Sequence, residues 1–486
     1  MARGEPIPIS LGMGSNKGRF GPEGLAEFVN CYVEQLGEGG KVQWPIYAIN
    51  GTTEYISLEL GAGIRSLLSL DSSLLALSGR ILYRINATGD TATAVGGIPS
   101  DGFVTMARNR QSPNPQVAIV CDGSWYIYQN GVLSLGSDTD LPPPLCVVEI
   151  DGYFVFLIQD GRWFISAIDD ATIDGLDFTT ANASPDQNVM GGVRGRELVI
   201  FGARSTQWYI DNAASEDFPF SLVQTASMGC YAAGSVAKII LQPASGSATD
   251  SLIWASTDHA GTYSGIRVMS GYSGEKISTP EIDRLILGED DPSVIRSFAW
   301  TEDGHAFYCI NGTDWSRCWD SNTGKWHARK SHGLDRWRMS AHAQFGRRHI
   351  FGDYESTTLY VSDKDLYTEN GSPIVAEIVT PPVHMFPSPF CIHTFYLDAM
   401  TGVGINSTTD SDANPQFILD YSDDGGKSFG GVRHCNLGAE AQRYVSIDER
   451  SFGRFGTNGV SFRMRFSAAV AKCIMQASVD AEKLRS

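Results

Sequence analysis

One phrase recurs along the middle of this chain: an apolar run of strand length, a polar turn with Gly or Asp, then a second run carrying aromatic residues. It reads as Leu74–Leu77 turning at Ser78-Gly79 into Ile81–Tyr83, and as Val117–Val120 turning at Asp122-Gly123 into Trp125–Tyr128. Two further copies are Tyr153–Ile158 with Asp160-Gly161 and Trp163–Ile165, and Leu198–Phe201 with Gly202–Ser205 and Trp208–Ile210. A fifth, degenerate copy pairs Leu252–Trp254 with Ile266–Val268 across a longer loop. The sixth runs from Ala306–Ile310 through Asn311-Gly312 to Trp315–Trp319, and the seventh from His349–Phe351 to Leu359–Val361. Asn-Gly and Asp-Gly suit two-residue turns because both central positions need positive φ. The closing aromatics Tyr83, Tyr126, Trp163, Trp208, Trp319 and Tyr360 recur about every 40 to 60 residues once the fifth copy is counted between Trp208 and Trp319, the length of one four-stranded propeller blade. The pattern predicts an all-β chain whose middle is a β-propeller, one blade per copy. Seven blades is the count, and six is the alternative because the fifth copy is degenerate. A tandem of β-sandwiches with similar hairpins is the competing architecture.

The rest of the chain follows from where the phrase stops. With 52 glycines spread evenly and 10% aromatic residues, many short strands joined by tight turns are expected throughout. Only Glu23–Tyr32 is expected to form a short helix. Past the loop-like Thr368–Pro373, five runs read as strands of a smaller, sandwich-like β domain: Cys391–Leu397, Gln416–Tyr421, Arg443–Ile447, Val460–Phe466 and Lys472–Ser478. Residues 1–60 lack the phrase and carry Phe20, Phe28, Tyr32, Trp44 and Tyr47, which suits an extended arm that packs on other elements. The expected division is therefore an arm at 1–60, a propeller at 61–370 and a C-terminal β domain at 371–486.

Several function classes are disfavoured. Apolar runs such as Tyr153–Ile158 fall far short of the roughly 20 residues a membrane helix needs, so no membrane insertion is expected. Met1–Phe20 has no apolar h-region, and no signal peptide is expected. Nine cysteines stand singly with no CxxC pair, which suits reduced thiols better than a disulfide framework. A net charge of −18 opposes nucleic-acid binding, which needs clustered Lys and Arg. No metal-binding histidine spacing appears. Glu289–Asp291 lacks the alternating ligands of a calcium loop, and Gly12–Gly18 has neither the preceding strand nor the following helix of a phosphate loop. No cofactor and no metal are expected, and no catalytic residue is assigned.

The sharpest local motif is Ser422, Asp424, Gly426, Ser428 and Phe429, which fits the Asp-box pattern of a β-hairpin turn. The Asp carboxylate can accept from turn N–H groups, Gly permits positive φ, and Phe anchors the next strand. Asp boxes occur in sialidases and in many non-enzymatic β proteins. A sialidase site also needs an arginine cluster to grip the substrate carboxylate, and one box does not supply it. Trp319–His327 is similar to a kelch-type turn whose tryptophans pack a blade.

The chain resembles the tail-hub proteins of podovirus-type phages, also called packaged-DNA stabilisation proteins. Phe28–Glu34 followed by Trp44-Pro45 is similar to the opening of that family, although Ile46 stands where the family has Gly. Gly152–Phe154 with Asp160–Ser166, then Val199–Tyr209, resemble two successive family hairpins. Asp423–Ser428, Gly453–Gly456 and Phe462–Arg465 follow in the family's order. The resemblance implies a structural virion protein without catalytic residues. It further implies a homo-hexameric tail ring, assembled in the host cytoplasm, that closes the portal exit after DNA packaging. Its implied partners are the head-to-tail adaptor or portal, a tailspike or fibre, and a tail needle. The alternative is a carbohydrate-binding or glycosidase propeller acting as a phage adhesin.

Overall fold

Each copy of the recurring phrase becomes the second and third strands of a four-stranded antiparallel sheet. The computed structural model describes residues 6–37, 39–138, 140–181, 186–213, 218–241, 247–405, 407, 411–442 and 444–484; residues 1–5 of the predicted arm lie outside these, as do 485–486. Blade 1 is Ile64–Ser69, Ser73–Ser78, Ile81–Asn86 and Ala92–Gly97, and blade 2 is Val104–Arg108, Val117–Cys121, Ser124–Gln129 and Val132–Leu135. Blade 3 is Pro144–Ile150, Tyr153–Ile158, Arg162–Ser166 and Ile173–Thr180, and blade 4 is Asn188–Arg194, Glu197–Gly202, Thr206–Asp211 and Phe220–Ala226. The degenerate copy is a true blade 5, Ala237–Leu241, Thr249–Thr257, Tyr263–Ser270 and Ser273–Lys276. Blade 6 is Arg296–Glu302, His305–Asn311, Ser316–Asp320 and Lys325–Ala328. Among the described residues the blades number seven, and the first strands of successive blades touch around a closed ring.

Blade 7 closes that ring with a strand from the other end of the chain. Met339–Phe345, Arg348–Asp353 and Thr358–Asp363 are joined antiparallel by Gly51–Ser57. The register runs from Thr358 opposite Ser57 to Asp363 opposite Gly51, so part of the stretch read as an arm is the outer strand of the last blade. An outer strand only needs to present a hydrogen-bonding edge, and distance along the chain does not matter once the ring brings both ends together.

Beside the ring sits a β-sandwich built from both termini. Its first sheet continues blade 6: Val29 of Glu27–Val29 pairs in parallel with Ala328, and Ala376–Val379, Ser461–Phe466, Gln416–Ser422 and Gly430–Asn436 follow in order. The second sheet orders Cys31–Val33, Ile46–Ala48, Cys473–Lys483, Phe390–Ala399 and Ile447–Phe455, with Ile7–Ile9 also on Cys473–Lys483. Phe395, Phe417, Phe462 and Phe466 fill the space between the sheets together with Phe28 and Ile46. The expected helix at Glu23–Tyr32 is a correction: apart from a 3-10 turn at Gly21–Glu23, that segment supplies Glu27–Val29 and Cys31–Val33. Pairing on both edges in the first sheet, together with burial of Phe28, outweighs local helix preference. Among the described residues the α-helix is instead Pro280–Leu287, opened by Thr279 as N-cap and Pro280 at its first turn.

Candidate functional site

The Asp-box residues form a self-contained turn. Ser422 donates to Asp424 at 2.8 Å, and Ser428 donates to the same carboxylate through its N–H at 3.1 Å and its hydroxyl at 2.7 Å. Those bonds, the Ser428 hydroxyl first, hold the Asp424 carboxyl well below the usual carboxylate range. Gly425 and Gly426 have φ of 76° and 82°, and the N–H of Gly426 donates to Ser422 Oγ at 2.8 Å. The turn rests on the N-terminal segment: a Cβ on Gly21 would stand 1.5 Å from the Gly425 carbonyl oxygen. Phe429 lies 4.0 Å beneath the Arg463 guanidinium, which is held by buried Asp420 at 2.9 Å. The Asp424 carboxylate and the Ser422 and Ser428 hydroxyls are thus engaged with one another within the loop.

The six closing aromatics do not converge on a site. All are buried, each in a different gap between blades. Tyr83 fills the gap between blades 7 and 1, Tyr126 that between 1 and 2, and Trp163 that between 3 and 4. Trp208, Trp319 and Tyr360 fill the next three gaps in turn. The remaining gap, between blades 2 and 3, holds Trp125 against Phe156 at 5.3 Å between ring centroids. Alternation along Ser124–Gln129 sends Trp125 and Tyr126 to opposite faces, a signal present in the sequence that naming Tyr126 alone missed. Trp254 was missed as well; it joins Trp208 between blades 4 and 5 and donates to the Gly229 carbonyl at 3.0 Å.

The first strands of the blades enclose an axial cavity of about 560 Å³. One mouth is stoppered. Arg296 starts the first strand of blade 6, yet its guanidinium lies 4.9 Å over the ring of Phe103, which precedes blade 2. Those blades are not neighbours in the ring, so the pair meets across the axis. Arg65 braces it by donating to the carbonyls of Gly79 at 2.9 Å, Ser100 at 2.7 Å and Gly102. Burial, then the nearby Arg65 charge, pulls Arg296 below the ordinary arginine range. At the other mouth Arg108 pairs with Asp71, and Lys238 with Asp250 at 2.6 Å. Glu149 is the one carboxylate among the described lining residues, and Arg110 holds it at 3.4 Å. Half-buried His342 is pushed down to about 3, by desolvation first and then by the charge of His349.

Ring and sandwich are stitched through the N-terminal segment. Asn30 is buried with φ 54°, the sharp step between the strands it joins. Its amide donates to the carbonyls of Lys330 at 2.9 Å and Val375 at 3.1 Å, and its carbonyl accepts from the Lys330 N–H at 2.9 Å. Nearby, buried Arg317 pairs with Glu281 at 3.0 Å, Lys17 pairs with Glu27, and the Lys17 N–H donates to Glu281 at 2.8 Å. One segment thus ties a blade, the helix and the sandwich through paired charges, and removing either partner of the buried Arg317–Glu281 pair would strand the other.

Known proteins were compared against this geometry. The WD40 β-propeller domain of Doa1 aligns at 10% identity over 65% of this chain and 98% of its own, with TM-score 0.37. BamB from Moraxella catarrhalis aligns at 9% identity over 63% and 95%, with TM-score 0.36. A chain of a mitotic checkpoint complex aligns at 12% identity over 68% and 95%, with TM-score 0.43. These likenesses carry no functional argument. No curated protein sequence matches the chain. The family model described as the bacteriophage P22 Gp10 β-propeller matches residues 70–367, which takes in the central hairpin of every blade. That match covers more than half of the sequence, and the chain belongs to this family of phage packaged-DNA stabilisation proteins, structural components of bacteriophage built on a β-propeller.

Proposed function

We propose that this protein is a tail hub and plug: six copies close the portal exit after packaging and join the head-to-tail adaptor to receptor-binding tail parts and a tail needle. It acts in the virion tail and is assembled in the host cytoplasm. The observation that carries the reading is the nine-stranded sheet running without a break from blade 6 into the sandwich. A load-bearing connector needs two bodies that do not hinge, and a continuous hydrogen-bonded sheet resists hinging far better than a linker. The working division is the propeller at 61–370 with its outer strand Gly51–Ser57, the C-terminal unit at 371–486, and the rest of 1–60 as the tie between them.

Two further points support the reading over an adhesin with glycosidase activity. Glycoside hydrolysis ordinarily needs two carboxylates flanking the bond, whereas the axial cavity offers Glu149 alone, already held by Arg110. The contact of Arg296 with Phe103 crosses the propeller axis at one mouth, and closure of a DNA exit is assigned to the assembled ring. Tail reconstitution with purified partners, imaged and counted, tests this. Six copies per tail are expected; three, the usual number of a spike adhesin, would reject the hub. Purified protein should also leave sialyl and polysaccharide substrates unhydrolysed.

A further inference from the structure

The molecule has two unlike ends. The sandwich is fused to blade 6, which places blades 2 and 3 on the opposite side of the ring. Beyond blade 6, the nine-stranded sheet ends at Gly430–Asn436 and the second sheet ends at Ile447–Phe455. Arg433 ties these two edges together by donating to the carbonyls of Arg450 and Ser451. The free edge of the sandwich therefore lies at the far end of the molecule from the rim of blades 2 to 4.

That rim is apolar and acidic. The outer strand of blade 6 is covered by Glu27–Val29, and those of blades 1, 5 and 7 expose no large hydrophobic side chain among the described residues. On blades 2 to 4 the outer strands expose Val132 and Leu135 at 64%, Leu176 at 84%, and Phe178, Leu222 and Val223 less fully. Natural edge strands are usually short or guarded by Lys or Pro; Ile173–Thr180 and Phe220–Ala226 have eight and seven residues and neither guard. The pairing of Ile173–Thr180 also shifts between Phe164 and Ser166, so Asp174–Asp177 bulges outward with Leu176 exposed within it. On the outer strand of blade 3 Asp174 and Asp177 are exposed, and the strand carries no Lys or Arg.

The free edge of the sandwich has the complementary character. Gly430–Asn436 carries Arg433 and His434, no carboxylate, and an exposed Val432. Ile447–Phe455 exposes Arg450 and Arg454, while its acidic residues are engaged internally: Asp448 by Arg450 at 3.0 Å and Glu449 by Arg433 at 3.4 Å. An acidic, apolar face at one end and a basic, apolar face at the other are what a head-to-tail contact between identical chains requires. We propose that the rim of blades 2 to 4 of one copy docks on the Gly430–Asn436 and Ile447–Phe455 edges of the next. This rests on the ring reading above and names the surfaces that would form it.

The test uses the full-length protein and two charge reversals, D174K/D177K on the rim and R450E/R454E on the sandwich. All four side chains are solvent-facing or at a strand edge, and unchanged thermal unfolding checks that both variants fold. Sedimentation up to about 100 micromolar should show wild type self-associating, less so at high salt. Each variant alone should associate at least about tenfold more weakly. Mixing the two should restore association, because each reversed face then meets an opposite charge on the other variant. A wild type that stays monomeric throughout, or association untouched by either reversal, would overturn the proposal. Reconstituted tails separate this from the ring itself. Six copies per tail with both variants incorporated normally would remove the surface assignment and leave the ring. Three copies would remove the ring.

Discussion

Trp163 and Trp208 show what a single residue contributes. Both are fully buried, Trp163 edge-on to Tyr209, Phe218 and Phe220, and Trp208 with its N–H 3.4 Å from the Met269 sulfur. Replacing either with Ala should cost roughly 3–5 kcal/mol, the scale of large aromatic deletions in cores, read from the shift in chemical unfolding. Loss of only a few tenths would mean that the gaps between blades collapse easily. His342 makes a pH-dependent contribution. Its folded pKa is depressed to about 3, so between the unfolded value and that pH the unfolded chain binds a proton that the folded chain refuses. Stability from its neutral form is complete above the unfolded value of about 6.5 and is lost as pH falls below it. The stability of wild type relative to H342F should therefore fall by up to about 1.4 kcal/mol per pH unit on acidification below 6.5. A difference that stays flat from neutral to pH 5 would show that the ring is solvated after all.

Elements matter here chiefly through who completes whom. Ile7–Ile9 adds a strand to the sandwich, whereas Gly51–Ser57 closes the propeller. The two should separate in truncations. Deleting residues 1–20 removes a peripheral strand and should leave the propeller folded, with tail incorporation reduced. Deleting residues 1–60 uncovers Thr358–Asp363 and removes Asn30, and should abolish cooperative unfolding of the ring. Circular dichroism melts and limited proteolysis distinguish the outcomes; equal stability of both truncations would mean that ring closure does not depend on the outer strand of blade 7.

At the scale of the whole molecule, charge sets behaviour toward DNA. With net charge −18 and half of that excess between residues 138 and 186, the free protein should bind duplex DNA negligibly at ~150 mM salt, because few phosphate counterions can be released. Electrophoretic mobility or anisotropy titration checks this. A salt-sensitive micromolar complex would require a basic surface that exists only after assembly. Under the proposed ring, stabilisation of packaged DNA by this chain would be mechanical closure.

The recurring hairpins were legible before any coordinates because their determinants are local. Turn residues such as Asp122-Gly123 fix the reversal, alternation fixes the buried face, and an aromatic such as Trp163 or Trp208 marks the gap that face must fill. The bonds of the Ser422–Ser428 turn are local in the same way, with Asp424 accepting from Ser422 and Ser428. What lay beyond reach is non-local. Strands of three residues such as Glu27–Val29 have no periodicity to read, and their placement depends on a partner such as Ala328, which only the folded ring brings near. The same holds for Arg296 reaching Phe103 across the axis and for Gly51–Ser57 closing blade 7. By itself the sequence determined the blade and its repetition. Tertiary structure decided how the ring closes, what stoppers its axis and which edges stay open, because a backbone edge accepts any strand brought to it and only packing selects which one arrives.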